Sequence, residues 1–292
     1  MEALLGTGVA LVTPFNEHGS VDVSGLESLV DFQIANQVDY LVVMGTTAES
    51  VTLNLEEKEL VKETVIRVVN GRLPLVLGIG GNDTAAVVAA LHTTDLSDFT
   101  AVLSVSPYYN KPSQEGLYQH FKAVAQAASK PLVLYNVPAR TGQNMAVDTI
   151  LRLANDFDNI VAVKEASGDL GQALRLIQRK PAHFKVISGE DMLALPMTLA
   201  GGAGVISVIA QGLPADFSQL IRDALDGQPS KAFERYYKLM GSIDLIFEEG
   251  NPAGIKAMLA YLGICRSDVR LPLVAASPEL SSKIKAFMDN YS

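Results

Sequence analysis

The apolar positions of the chain fall into eight short runs rich in β-branched residues, separated by longer stretches with helical periodicity. Most runs are apolar at consecutive positions, which is typical of strands that a parallel sheet buries on both faces. The pattern therefore predicts eight parallel strands, at Gly8–Val12, Tyr40–Met44, Leu75–Ile79, Ala101–Val105, Leu132–Tyr135, Ile160–Val163, Phe184–Ile187 and Gly204–Val208.

Helices are predicted in the intervals between these strands. Asn54, followed three residues later by Glu57, has the pattern of a helix N-cap. Pro214 begins another helix, which ends near Gly227. The helix predicted between Ser113 and Ser129 has one apolar side, formed by Leu117, His120, Phe121 and Val124. Strand followed by helix, repeated eight times, predicts an α/β fold of the (β/α)8 TIM-barrel type.

The strand pattern stops after Gly227. We predict a catalytic barrel at residues 1–227 and a C-terminal helical extension at residues 228–292. Two helices of the extension are expected near Pro252–Leu262 and Pro278–Asn290. Its first helix has an apolar stripe that contacts either the barrel or a second subunit, formed by Phe233, Tyr236, Tyr237, Met240, Ile243 and Phe247.

The composition and charge of the chain exclude several kinds of binding partner and site. The net charge of −9, without a basic cluster, disfavours nucleic acid and anionic membrane. The uncharged stretch Met192–Ala215 contains Gly and Pro, so we predict a buried helix and a barrel strand instead of a membrane span. The N-terminus has no signal-peptide pattern, and the single Cys265 suits a reducing compartment. The four histidines have no metal-binding spacing, so we expect a cytoplasmic protein without a metal site.

The candidate chemistry begins at Lys164, which directly follows the predicted strand Ile160–Val163. Catalytic groups of TIM barrels lie at the C-terminal ends of the strands. A lysine at this position can be explained in two ways. It forms a surface ion pair with Glu165, or its amine is desolvated and attacks a carbonyl carbon.

The other strand ends favour the second interpretation. A Schiff-base enzyme needs a phenol or hydroxyl to move protons and groups that hold carboxylates. Each residue also has a structural explanation: Tyr135 as a core aromatic, the threonines as caps, the tyrosine pair as a turn, and Arg140 as a surface residue. Their convergence at one end of a barrel favours a functional role for Thr46, Thr47, Tyr108, Tyr109, Tyr135 and Arg140.

Five segments resemble the dihydrodipicolinate synthase family of pyruvate-dependent aldolases, in the same order and spacing over the whole chain. They are GTTAES (45–50), PYYNKP (107–112), LYNVPART (134–141), VKEASG (163–168) and GGAGVISV (201–208). The resemblance implies condensation of pyruvate with L-aspartate 4-semialdehyde to 4-hydroxy-tetrahydrodipicolinate, in the diaminopimelate route to lysine. It implies no cofactor and a homotetramer built as a dimer of dimers.

The resemblance also implies residue roles. Lys164 forms the Schiff base with pyruvate, and Arg140 guides the semialdehyde. A proton relay is formed by Tyr135, Thr46 and Tyr109, the last from a neighbouring subunit. Pyruvate is further held by Thr47, Gly189 and Ile206.

Two other functions are compatible with a barrel of this kind, and the chain also differs from its relatives at the site that binds inhibitory lysine. Related sugar-acid lyases such as N-acetylneuraminate lyase usually have a serine–threonine pair at Thr46–Thr47 and lack Arg140, and a silent barrel would lack Lys164 or Tyr135. Of the residues that bind inhibitory lysine in relatives, Ser50, Asn82 and Tyr108 remain. Leu55, Lys58 and Ala86 replace histidines and a glutamate, so we predict weak or absent inhibition by L-lysine.

Overall fold

The computed structural model describes residues 2–291, in which eight parallel strands close into a barrel in sequence order. The predicted (β/α)8 class is confirmed. The strands are β1 Gly6–Ala10, β2 Tyr40–Val43, β3 Leu75–Gly78, β4 Ala101–Val105, β5 Leu132–Asn136, β6 Ile160–Glu165, β7 Lys185–Ser188 and β8 Gly204–Ser207.

Helices connect the strands and surround the barrel. Those of the barrel are α1 Val23–Ala35, α2 Leu55–Val69, α3 Thr84–Thr93, α4 Gln114–Ala127, α5 Pro138–Thr141, α6 Val147–Asp156, α7 Leu170–Arg179, α8 Asp191–Leu199 and α9 Pro214–Leu225. Three more follow: α10 Pro229–Phe247, α11 Ala253–Tyr261 and α12 Pro278–Asn290. No helix in residues 2–291 is long and apolar enough to cross a membrane.

Each predicted strand is present, but the boundaries of two differ in ways that matter. β1 lies two residues earlier than predicted, because the N–H of Val12 donates to the side chain of Gln211 and leaves the strand ladder. β6 extends beyond Lys164 to Glu165, which pairs with Asn136 of β5. Lys164 is therefore inside a strand and not in the loop that follows it.

The predicted helix signals are confirmed at α2 and α4. Asn54 and Glu57 form a reciprocal capping box at the start of α2. Ser113 caps α4, and the four predicted side chains of that helix are buried. Among them, burial lowers the pKa of His120 to about 4, so this histidine is neutral in the core at pH 7.

Side chains fill the interior of the barrel at the amino ends of the strands. Tyr40 is fully buried there, in an apolar cluster with side chains such as Val76 and Ala162. A Cβ built on Gly8 would lie 2.1 Å from the Tyr40 ring, so only glycine leaves room for this side chain. Because the tyrosine fills that end of the barrel, the open space lies at the carboxyl ends of the strands.

The C-terminal helices pack against the barrel helices. α10 contacts α8 and α9, and Tyr236 and Ile243 of its predicted stripe are buried. Tyr237 of the same stripe is 65% exposed on the single chain, so it makes no buried contact with the barrel. α11 is buried over most of its length and contacts the short helical turn Ile209–Gln211 that follows β8.

Candidate active site

Lys164 and Tyr135 are adjacent at the carboxyl end of the barrel. They are register partners on neighbouring strands, and the Lys164 Nζ lies 4.5 Å from the centroid of the Tyr135 ring. Lys164 is 6% exposed, and no carboxylate of residues 2–291 lies within ion-pair distance of its amine. The surface-pair interpretation is therefore wrong: Glu165 points to the other face of β6, where amide groups bind it.

Glycine at position 189 provides the space for the lysine side chain. A Cβ built there would lie 3.0 Å from Cε of Lys164 and 2.6 Å from Cβ of Ala166. Ile206 is buried on β8 and belongs to the same interior apolar cluster as Tyr135. The structure thus places Gly189 in contact with Lys164 and Ile206 on the barrel wall.

A cavity of about 680 Å³ lies at the carboxyl ends of β2 to β5 and reaches Tyr135, whereas Lys164, Thr47, Gly189 and Ile206 are not among its lining residues. Thr46, Tyr135 and Arg140 line it, together with the glycines at the end of β3. Thr46 lies on the short helical turn Thr46–Ala48 after β2, and Arg140 lies on α5 after β5. Three of the predicted site residues therefore surround one space, with the amine of Lys164 beside Tyr135.

Thr47 lies on the same turn as Thr46 but points inward. Its side chain is 3% exposed, and its Oγ1 accepts a hydrogen bond of 2.9 Å from Nδ2 of Asn251. Glu49 follows the turn in a left-handed conformation and forms a buried ion pair with Lys256, with 2.6 Å between Oε1 and Nζ. The sequence assigned no role to Asn251, Glu49 or Lys256.

Two acidic residues after β7 also received no role. Burial raises the pKa of Glu190 and the pKa of Asp191. Asp191 accepts hydrogen bonds from the N–H groups of Val208 and Ile209, which fixes the chain just after β8. Their position after Gly189, at a strand end, was the available sequence signal.

Tyr109 is placed away from the cavity of its own chain. It is 88% exposed and has a positive φ of 71°. Tyr108, in contrast, lines the cavity, as do Ser50, Leu55 and Lys58 of the predicted effector site. Asn82 joins this group by donating from Nδ2 to the carbonyl of Tyr108 at 3.2 Å.

No group of three metal-ligating side chains occurs in the part of the chain that the structure describes. The geometry is that of amine chemistry: a buried lysine beside a phenol, with an arginine and hydroxyl groups around an open cavity. Together, fold and site define a (β/α)8 lyase of the class I aldolase type.

The chain belongs to the dihydrodipicolinate synthetase family, whose model matches residues 3–290. It is 57% identical to 4-hydroxy-tetrahydrodipicolinate synthase of Flavobacterium psychrophilum over 292 residues, the full length of both chains. Two solved structures are also similar. Chloride-inhibited dihydrodipicolinate synthase of Acinetobacter baumannii, complexed with pyruvate, has a TM-score of 0.95 at 37% identity and 98% coverage of both chains. The enzyme of Cyanidioschyzon merolae with lysine bound has a TM-score of 0.94 at 36% identity, also with 98% coverage of both.

Proposed function

We propose that the chain condenses pyruvate with L-aspartate 4-semialdehyde to give 4-hydroxy-tetrahydrodipicolinate, through a Schiff base on Lys164. The observation that carries the proposal is the contact between the Lys164 amine and the Tyr135 ring at the strand ends. The names of the relatives above support the choice of reaction. We further propose that residues 1–227 supply the catalytic groups and that the enzyme acts in the cytoplasm.

The chemistry follows from the groups present. The amine of Lys164 attacks C2 of pyruvate, and the carbinolamine loses water to give an imine. Loss of a proton from C3 gives an enamine, which attacks the aldehyde carbon of the second substrate. The amino group of that substrate then attacks C2, closes the ring and releases Lys164. Each proton transfer needs a group near C2 or the new hydroxyl, and we assign these transfers to Tyr135 and Thr46.

The remaining residues hold the substrates. Thr47 donates its hydroxyl to the pyruvate carboxylate, and Gly189 and Ile206 form the wall against which pyruvate lies. Arg140 lines the open part of the cavity and binds the carboxylate of the semialdehyde, because a guanidinium matches two carboxylate oxygens at once.

We propose a dimer of dimers in which a neighbouring chain supplies Tyr109. Large apolar side chains that are exposed on the single chain lie on the segments around the cavity, at Val51, Leu55 and Tyr109. Such a concentration of exposed apolar surface favours contact with another copy. Tyr109 is too exposed to serve its own site, and contact with a second copy would bury it.

Reductive trapping tests the reaction. Sodium borohydride added with pyruvate should reduce the imine and add one three-carbon unit to Lys164, detected by peptide mass spectrometry. The enzyme incubated with borohydride alone is the control. Unmodified Lys164, with pyruvate saturating and turnover intact, would contradict the mechanism.

Arg140→Ala should impair the second half-reaction selectively. Loss of a bidentate carboxylate partner should raise the KM for the semialdehyde by roughly 10- to 100-fold, because hydrogen bonds to charged groups contribute about 1.5–3 kcal/mol. The rate of imine trapping with pyruvate should change little. Arg140→Lys, which keeps the charge without the planar fork, should fall between the two enzymes. An equal loss in both half-reactions would remove Arg140 from semialdehyde binding.

L-Lysine should inhibit weakly. Lys58 and Leu55 offer its ammonium no carboxylate, and Ala86 cannot form an ion pair, so we expect no inhibition below about 1 mM, since each lost partner costs roughly tenfold in affinity. Ala86→Glu combined with Lys58→His should increase sensitivity in an activity titration. Ala85→Glu, one position along the same exposed helix, is the matched control. Strong inhibition of the unaltered enzyme at sub-millimolar lysine would contradict the prediction.

A further inference from the structure

A side chain from the C-terminal part of the chain contacts Thr47, the residue proposed to hold the pyruvate carboxylate. Asn251 lies in the loop between α10 and α11, 204 residues from Thr47, and donates from Nδ2 to its Oγ1 at 2.9 Å. Thr47 is buried, so water does not compete freely for this contact. The hydrogen bond therefore constrains the hydroxyl group of Thr47 in a definite direction.

A hydroxyl group has one hydrogen to donate and two lone pairs that accept. Because Asn251 occupies a lone pair of Thr47, the hydrogen of Thr47 is left to donate elsewhere. Within residues 2–291, the hydroxyl of Thr47 has no acceptor at hydrogen-bond distance. A substrate carboxylate would supply that acceptor. We propose that Asn251 is a positioning residue, which turns the Thr47 hydroxyl hydrogen toward the carboxylate of bound pyruvate; this rests on the function proposed above.

Buried charges fix Asn251 and Thr47 relative to each other. Glu49 comes two residues after Thr47 with φ 53°, and its carboxylate accepts from Nζ of Lys256 at 2.6 Å and from the N–H of Arg270 at 2.9 Å. Nζ of Lys256 also donates to the carbonyl of Asp268 at 2.8 Å. The segment that carries Asn251 is thus attached to the turn that carries Thr47 a second time, through Glu49. This second attachment restricts movement of the Asn251 side chain relative to Thr47.

The test compares three substitutions by their effect on pyruvate binding alone. Borohydride trapping rates measured against pyruvate concentration give the apparent affinity without the second substrate. Asn251→Ala should weaken it about tenfold, with little change in the rate of trapping at saturation. Asn251→Asp should weaken it further, because its carboxylate takes the Thr47 hydrogen and repels the substrate. Thr47→Val removes the hydroxyl and should weaken it at least as much as Asn251→Ala.

Two readouts separate positioning from a merely structural role. In the Thr47→Val background, Asn251→Ala should cause no further loss, because the residue acts through that hydroxyl. Because Oδ1 of Asn251 is buried without a partner among the described residues, the carboxyl of Asn251→Asp should have a pKa above the usual value of about 4. Its affinity for pyruvate, relative to the unaltered enzyme at the same pH, should therefore begin to recover as pH falls toward 5, since the protonated side chain again donates to Thr47. Thermal unfolding of each variant identifies any that fail to fold. A misfolded Asn251 variant is replaced by Asn251→Ser, and a misfolded Thr47→Val by Thr47→Ala, in the same cycle.

The two proposals fail in different ways. If the unaltered enzyme forms no adduct at Lys164, the proposed function is wrong. The positioning role is wrong, and the function stands, if the adduct forms but the fold-losses in pyruvate affinity of Asn251→Ala and Thr47→Val multiply in the double variant. The same holds if the affinity of Asn251→Asp for pyruvate does not change with pH. Additive losses would mean that Asn251 supports the fold independently of Thr47.

Discussion

Lys164→Ala should lower kcat by at least on the order of 10³-fold, about 4 kcal/mol of transition-state stabilisation. The substitution removes the amine that lies beside Tyr135, so the covalent intermediate proposed above cannot form. The borohydride adduct should disappear in the same variant. Steady-state turnover and peptide mass spectrometry measure the two effects independently.

Two further variants keep this result interpretable. Lys164→Arg retains a cation but cannot form an imine under these conditions, so it should be as inactive as alanine. Lys185→Ala changes a lysine at the amino end of β7, away from the carboxyl ends where Lys164 lies, and should keep nearly full activity. Turnover of Lys164→Ala within tenfold of the unaltered enzyme would exclude a Schiff base as the main route.

Lys256→Met should cost about 3–5 kcal/mol of the free energy of unfolding, because it leaves the carboxylate of Glu49 buried without its cation. Lys256 is 0% exposed, and burial lowers its pKa while the nearby Glu49 opposes that shift. Urea denaturation at neutral pH measures the loss. The effect should be among the largest of any single substitution of a charged residue.

The double variant Lys256→Met with Glu49→Gln should recover most of that stability, because neither buried charge then lacks a partner. Lys285→Met is the matched control: this lysine also belongs to the C-terminal helices and pairs with Asp289, but in solvent. Its loss should leave the free energy of unfolding nearly unchanged. Equal destabilisation by both lysine substitutions would show that burial is not the cause.

The fold could be predicted because parallel strands buried on both faces appear as uninterrupted apolar runs. The runs at β4 and β5 gave the strands to within one residue. Where a strand ends depends on partners that the local pattern does not contain. Val12 leaves the ladder for Gln211, and Glu165 remains in it because Asn136 and Gln172 bind its carboxylate.

The residues around the cavity could also be predicted, since strand ends are local features and a barrel brings them together. The contacts that hold Thr47 and its turn in place could not be predicted. Lys256 is the only charge between Asn251 and Tyr261, which indicates a buried partner for the lysine. Its partner, Glu49, lies 207 residues away and nothing in the sequence pairs the two. Contacts of this range follow from the closed shape of the molecule.

The attachment of Asn251, Lys256 and Arg270 to the turn after β2 has a consequence for how the enzyme is made. The ribosome adds Lys164 long before it adds these residues. A nascent or prematurely terminated chain that has all eight strands therefore contains Lys164 but lacks the residues that hold the turn after β2 in place. On the function proposed above, we expect such a chain to bind pyruvate weakly until residues 251–270 have been added.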